Sequence, residues 1–195
     1  MKFAQLLILP AVATSFVACT SIKTETTTSA QIKQGVPGGK VVQTTTVRAT
    51  VSGIDAAKRK LTLVTPDGTQ RNVTVGPAVV NFPQIRIGDQ LKVTLTDEVV
   101  IRMAKPGEKL HDRGSASLGL APLGAKPGAR SAETYQTSAT VTALDPKTRQ
   151  ATLRFSDGSA KTVVVRQDVD LTKHKVGEKV VIRATEVLAI LIEKP

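Results

Sequence analysis

The chain has 195 residues, with 27 Lys plus Arg against 16 Asp plus Glu, and its formal net charge is +11. The cations are spread along the chain rather than gathered in one tract, which argues against a dedicated nucleic-acid-binding protein. One Cys, two Met, two His and no Trp leave few residues for a metal site or a disulfide framework.

The first predicted element is an export signal over residues 1–18. It contains one cation, Lys2, then an apolar run too short for a transmembrane helix, then small residues before Cys19. A signal that ends at Ala18 before a Cys resembles the lipobox of bacterial lipoproteins, with Phe16 where that motif usually has Leu. The resemblance implies that the Cys19 thiol is lipidated. The alternative is ordinary cleavage after Ala13, which leaves Cys19 as a free thiol.

The second predicted element is a flexible tether over residues 19–43, which is rich in Thr and contains the sequence GVPGG. Cleavage before Cys19 would leave 26 cations against 16 acids, a net charge of +10. Lipoproteins that carry Asp after the lipidated Cys are retained at the inner membrane, whereas this chain has Thr20. We therefore expect an anchor in the outer membrane that faces the periplasm.

Two copies of one β-rich unit follow. The sequence ATVSGIDAAKRKLTLVTPDGTQRNVTV, which starts at Ala49, returns from Ala139 as ATVTALDPKTRQATLRFSDGSAKTVVV. Apolar residues alternate with polar ones in both copies, which predicts half-buried strands. Asp67-Gly68 and its counterpart Asp157-Gly158 predict turns in which the Gly adopts a positive φ.

The repeats predict an all-β fold of two tandem five-stranded small β-barrels of the OB-like type. Five short strands in about sixty residues leave exposed edges unless the sheet closes. The barrels are predicted over residues 44–103 and 133–193. Residues 104–132 contain KPG at both ends and no sustained periodicity, which predicts a flexible linker between them.

The shared pattern, which includes Asp55 with Asp145 and Arg59 with Arg149, resembles a family of exported bacterial lipoproteins of unknown function built from such repeats. The resemblance rests on fold-maintaining residues, so it implies architecture and no activity. At fold level the strand order is also similar to the small periplasmic copper carriers of the CusF type. Those proteins bind metal through His, Met and Trp.

The ligands of those copper carriers are missing from this chain. It has no Trp, Met103 is the one Met after the signal, and His111 and His174 have no partner at ligand spacing. We therefore expect no metal and no cofactor.

The recurring carboxylates predict turns rather than acid-base chemistry. Asp55, Asp145, Asp67 and Asp157 all lie where a short polar side chain stabilises the local backbone. No Gly-x-Ser-x-Gly elbow and no phosphate-binding Gly loop is present, so the sequence predicts that the protein is not an enzyme.

Four positions stay cationic in both copies, and they are the candidate contacts for a polyanion: Arg59, Arg71, Arg149 and Lys161. Their predicted place is the strand face that binds ligands in OB-folds. The alternative is that Arg59 and Arg149 pair with the turn aspartates, while Arg71 and Lys161 keep an outer face soluble. Nucleic acid is not expected, because stacking rings are almost absent.

These observations predict a non-catalytic binding or accessory module of the envelope that acts through an unknown protein partner. The alternative is binding of anionic envelope polymers or lipid A phosphates through basic barrel faces. Salt dependence separates the two, because polyanion binding weakens steeply as ionic strength rises.

Overall fold

The computed structural model describes residues 24–195, and these residues are all-β. The predicted signal, Cys19 and the start of the tether lie outside the described residues. The first five strands are β1 (Thr24–Gln31), β2 (Gly38–Asp55), β3 (Lys60–Val64), β4 (Gln70–Thr74) and β5 (Gln90–Met103). The second five are β6 (Arg113–Leu120), β7 (Gly128–Asp145), β8 (Gln150–Phe155), β9 (Ala160–Val164) and β10 (Lys179–Glu193).

All ten strands belong to one antiparallel sheet, in the order β4-β3-β2-β5-β10-β7-β8-β9. Strand β1 pairs with the first part of β2, and β6 pairs with the first part of β7. Two short 3-10 turns, Phe82–Gln84 and Leu171–Lys173, precede β5 and β10. No helix in the part of the chain described is long and apolar enough to cross a membrane.

Each repeat bends at a β-bulge and encloses its own core. The register of β2 shifts between Val51 and Gly53, and that of β7 shifts between Val141 and Ala143. A bulge increases local twist and turns the rest of the strand out of the plane of the sheet. The first core contains Ala49, Val51, Leu61, Leu63, Phe82 and Ile85. The second contains Ala139, Val141, Leu153 and Val180.

Strands β5 and β10 join the two repeats into one folded unit. They pair along their whole length, from Gln90 opposite Glu193 to Met103 opposite Val180. Each strand thereby carries its last apolar residue into the core of the other repeat. Ile192 is buried in the first core, and Met103 packs against the second.

The two predicted closed barrels are not confirmed. The last two of the five strands predicted in each repeat are one strand in the structure, β5 in the first copy and β10 in the second. No Gly or Pro breaks either strand, so both continue and pair with each other. The main path of the sheet consequently ends at β4 and β9, and β1 and β6, which each pair with one strand, form two further open edges.

The predicted flexible linker contains a strand and a fixed loop. Residues 113–120 form β6, and the loop that follows is fastened to the first repeat. Lys126 Nζ lies 2.7 Å from Asp89 Oδ2, and Asn81 Nδ2 donates to the Pro122 carbonyl at 2.8 Å. Burial alone would raise the pKa of Asp89, but hydrogen bonds from Lys126 and Arg86 outweigh it and lower the pKa. This ion pair and the Asn81 hydrogen bond fasten the loop to the first repeat, and the pairing of β6 with β7 fixes the rest of the segment.

The described part of the predicted tether is also ordered. Residues 24–31 form β1, and the loop after it contacts the second repeat. The Gly35 N–H donates to Asp168 Oδ2 at 2.9 Å, and Arg166 Nη2 donates to the Val36 carbonyl at 3.0 Å. The loop before each long first strand is thus held by the other repeat.

Candidate binding groove

A groove of about 570 Å³ lies on the sheet between the two cores. Strands β5, β6, β7 and β10 line it, and we call it the central groove. Its residues are 97–99, 114–116, 133–135 and 184–186. Asp97 projects from the floor, and we call the face of the sheet that bears its side chain the groove face.

Three carboxylates form a row across the floor of the central groove. Asp97 of β5 is directly opposite Glu186 of β10, which is directly opposite Glu133 of β7. Residues opposite each other on neighbouring strands point to the same face, with Cα atoms about 5 Å apart. Like charges in such positions destabilise a sheet, by about 0.2–1 kcal/mol for each pair.

No cation neutralises this row. The structure describes all 16 acidic residues, and most of their carboxylates accept a hydrogen bond or form an ion pair with a cation. The carboxylates of Asp97, Glu133 and Glu186 do neither within residues 24–195, and Glu193 is the one other such acid there. The row stays unpaired although the chain as a whole is strongly basic.

Lys40 of β2 and Arg183 of β10 lie on the opposite face of the sheet, where both bind another acid. Lys40 Nζ lies 2.5 Å from Glu98 Oε2, and Arg183 Nη2 lies 3.4 Å from Glu98 Oε1. The hydrogen bond from Lys40 is the main cause of the lowered pKa of Glu98. Alternation along the strand therefore separates a neutralised acid at Glu98 from an unneutralised one at Asp97.

Exposed apolar side chains flank the carboxylate row on the groove face. Val41, Val99 and Tyr135 occupy one cross-strand row, and Ile101 occupies the next. All four are exposed, and Tyr135 retains 56% of its accessible surface. The apolar face of an antiparallel sheet usually packs on a core, whereas the polar face contacts solvent. Here apolar side chains of the sheet are exposed to solvent, and no other element packs on them within residues 24–195.

Arg59 holds a loop and is not available to a polyanion. Its Nε donates to the Val75 carbonyl at 3.0 Å, and its Nη2 donates to the carbonyls of Gly76 at 2.9 Å and Val79 at 2.8 Å. The guanidinium also lies over the Phe82 ring, 4.6 Å from its centroid. Three carbonyls and one aromatic ring thus surround the guanidinium of Arg59.

Arg149 repeats this arrangement in the second copy. Its Nη2 donates to the Val169 carbonyl at 2.8 Å and also to the Arg166 carbonyl. Both arginines have a positive φ, 51° for Arg59 and 55° for Arg149. The interpretation that they pair with the turn aspartates is wrong, because their partners are backbone carbonyls of the loops that follow β4 and β9.

Arg71 and Lys161 are exposed on the two terminal strands of the sheet, β4 and β9. Arg71 is opposite the buried Leu63, and Lys161 is opposite the buried Leu153. Each cation therefore lies on the core side of an edge strand, where a charge discourages another strand from pairing. The structure does not bring the four recurring cations together into one site.

We expect Arg59→Met to lower the free energy of unfolding by about 2 kcal/mol, because three carbonyls lose charged donors. Arg71→Met is the matched control, and its effect should stay within about 0.5 kcal/mol. Urea unfolding followed by circular dichroism measures both. Equal stability of the two variants would contradict the loop-holding role of Arg59.

The recurring aspartates make local turn contacts, as predicted. Asp145 accepts from the Thr148 hydroxyl at 2.7 Å, and this bond is the main cause of its lowered pKa. Asp67 and Asp157 also have lowered pKa values, caused mainly by hydrogen bonds from Thr65 and Ser159. Such carboxyls stay ionised at neutral pH, which does not suit a general acid.

The histidines lie apart from the central groove. His111 is exposed in the loop before β6, and His174 Nδ1 lies 2.9 Å from Glu178 Oε2. Within residues 24–195, no three His, Cys, Asp or Glu side chains are grouped as metal ligands. The row of three carboxylates is included in that finding.

Comparison with known proteins adds no relative. No family model, no curated protein and no solved structure matches this chain. The resemblance to exported tandem-repeat lipoproteins and to copper carriers therefore stays a prediction.

The sequence pattern does not identify four residues of the central groove: Asp97, Glu133, Glu186 and Tyr135. The two copies match EVVIRM, which begins at Glu98, with EVLAILI, which begins at Glu186. In the structure, the residue across the sheet from Glu186 is Asp97, and Glu98 lies on the other face. The signal in the sequence is the pair of consecutive acids Asp97-Glu98 inside an apolar run. Consecutive residues of a strand point to opposite faces, so a cation on one face can neutralise only one of these two acids.

Proposed function

We propose that this chain is a non-catalytic, lipid-anchored accessory protein of the bacterial envelope that binds a protein partner in its central groove. The observation that supports this proposal is an apolar sheet surface left uncovered between two packed cores, crossed by three unpartnered carboxylates. The groove extends across four strands to the open side of β6, which suits an extended polypeptide.

The alternative proposal, binding of envelope polyanions, has weaker geometric support. Arg59 and Arg149 already donate to backbone carbonyls, and Arg71 and Lys161 lie at opposite ends of the strand order. Polyanion binding would therefore rest on separated single cations. Its affinity should fall steeply with salt, whereas binding in an apolar groove should largely survive.

A photocrosslinking amino acid tests the groove in cells. We expect a crosslinker at position 135 to capture one recurrent protein at moderate salt. The same group at position 130, which is exposed on the opposite face, should capture none. The captured protein, once purified, should bind wild type and lose at least tenfold in affinity for Tyr135→Asp. Equal capture at both positions, or binding that Tyr135→Asp leaves unchanged, would count against the groove.

The anchor has a separate test. We expect globomycin, which inhibits the peptidase that cleaves lipidated precursors, to leave an enlarged precursor of this chain in cells. The variant Cys19→Ala should accumulate an uncleaved, unlipidated precursor without the drug, because lipidation of the Cys19 thiol must precede cleavage. An unchanged precursor size under globomycin would favour ordinary cleavage after Ala13.

A further inference from the structure

The free edges of the sheet differ in their protection. Strands β4 and β9 have five residues each, and each places a cation, Arg71 or Lys161, opposite a buried leucine. Short edges and charges that point inward are devices by which proteins prevent unwanted strand pairing. Strand β6 has eight residues, RGSASLGL, without Pro or Lys and with its one charge at the first position.

The pairing of β6 with β7 determines which backbone N–H groups of β6 point to its open side. The Ala121 N–H donates to the Gly128 carbonyl at 2.8 Å, immediately after the last pair of β6 and β7. Hydrogen-bonding direction alternates along an antiparallel strand, so the N–H groups of Gly114, Ala116 and Leu118 point away from β7. No described strand pairs with that side.

The side chains of the same residues extend the groove face toward this edge. Ala116 is opposite Glu133 and thus continues the carboxylate row, and Gly114 is opposite Tyr135. Leu118, two residues farther, is 71% exposed. A side chain added at Gly114 would meet nothing closer than 3.9 Å, so large residues have room above it.

We infer that β6 accepts an antiparallel strand of the partner protein, with Lys or Arg opposite Ala116 and apolar residues opposite Gly114 and Leu118. A long cationic side chain can extend over the short Ala116 to reach Glu133. The apolar neighbours would cover Tyr135 and Leu118. This inference rests on the proposed function, since it names the chemistry of the partner that uses the central groove.

Two other arrangements fit the same surface less well. A second copy of this chain on β6 would bring Gly114, Ala116, Leu118 and Leu120 to the groove face, and none of these is a cation. A strand added to β1 would adjoin Gln43 rather than an acid, because Thr28 of β1 is opposite Gln43. Charge complementarity therefore favours a foreign strand at β6.

Two labelled heptapeptides test the inference on the full-length protein in detergent. One alternates Thr with Leu, Lys and Leu, and the other replaces its Lys with Glu. Fluorescence anisotropy at low salt should show at least tenfold tighter binding of the Lys peptide. Glu133→Gln should weaken that binding several-fold. Glu193→Gln, which removes the unpaired acid outside the groove, should leave it unchanged.

Backbone pairing is tested separately. Hydrogen exchange should slow at the amides of Ala116 and Leu118 when the Lys peptide is added, and Ala116→Pro should abolish binding because it removes an outward N–H. The exchange measurement stands even where that variant fails to fold. Equal affinity for the two peptides, no binding, or exchange that is already slow in a dimer without peptide would overturn the inference. Capture at position 135 together with any of these results would leave the proposed function standing.

Discussion

Replacing Gly38 with Ala should unfold most of the protein under conditions in which wild type is folded. Gly38 begins β2 with a φ of +90°, and a Cβ there would lie 2.1 Å from the carbonyl oxygen of Ile101. That oxygen belongs to the backbone of β5, so no side-chain movement relieves the overlap. The β2–β5 pairing that links the first repeat to the centre of the sheet has to shift. We expect a loss of about 4 kcal/mol or more, a large part of the stability of a typical domain.

Gly68→Ala is the matched control for this prediction. Gly68 also has a positive φ, +84°, but a Cβ there meets no atom within 4 Å. Its cost should be limited to the backbone strain of a left-handed residue, about 1 kcal/mol. Thermal unfolding followed by circular dichroism compares the two variants. If Gly38→Ala and Gly68→Ala lose similar stability, the close approach of β2 to β5 is not the constraint on Gly38.

The sequence was sufficient to predict the features that depend on local chemistry. Alternation identified half-buried strands such as β3, and the all-β class is confirmed. The Asp-Gly turns are confirmed as well, because Gly68 and Gly158 both have a φ of +84°. These features arise from residues close together in the chain, so a single sequence contains the information that determines them.

The features that the sequence did not show depend on contacts between the two repeats. Each copy alone predicts five short strands, and the natural way to satisfy five short strands is a barrel. The continuity of β5 becomes evident only when β10 is available to pair with all of it. The row of Asp97, Glu133 and Glu186 has the same origin, because its members come from three strands and meet only through their register.

Ile192→Ala tests this coupling between the repeats. Ile192 belongs to the last strand of the second repeat, but it is only 6% exposed because it packs in the core of the first. Removing a buried Ile side chain leaves a cavity, and we expect a loss of about 3 kcal/mol in the free energy of unfolding. Hydrogen exchange should become faster in β3 of the first repeat, where Leu61 and Leu63 contribute to the same core.

The neighbouring residue provides the control for Ile192→Ala. Leu191 lies on the same strand and points to the opposite face, where it is 46% exposed. Because truncation of an exposed side chain leaves no cavity, Leu191→Ala should lower the free energy of unfolding by less than about 1 kcal/mol. Met103→Ala should give the reciprocal effect, with faster exchange in β8 of the second repeat. Two independent modules would respond differently, since each substitution would then loosen only the repeat that contains it. If each substitution instead speeds hydrogen exchange in the other repeat, then β5 and β10 each contribute to the core of the repeat to which they do not belong.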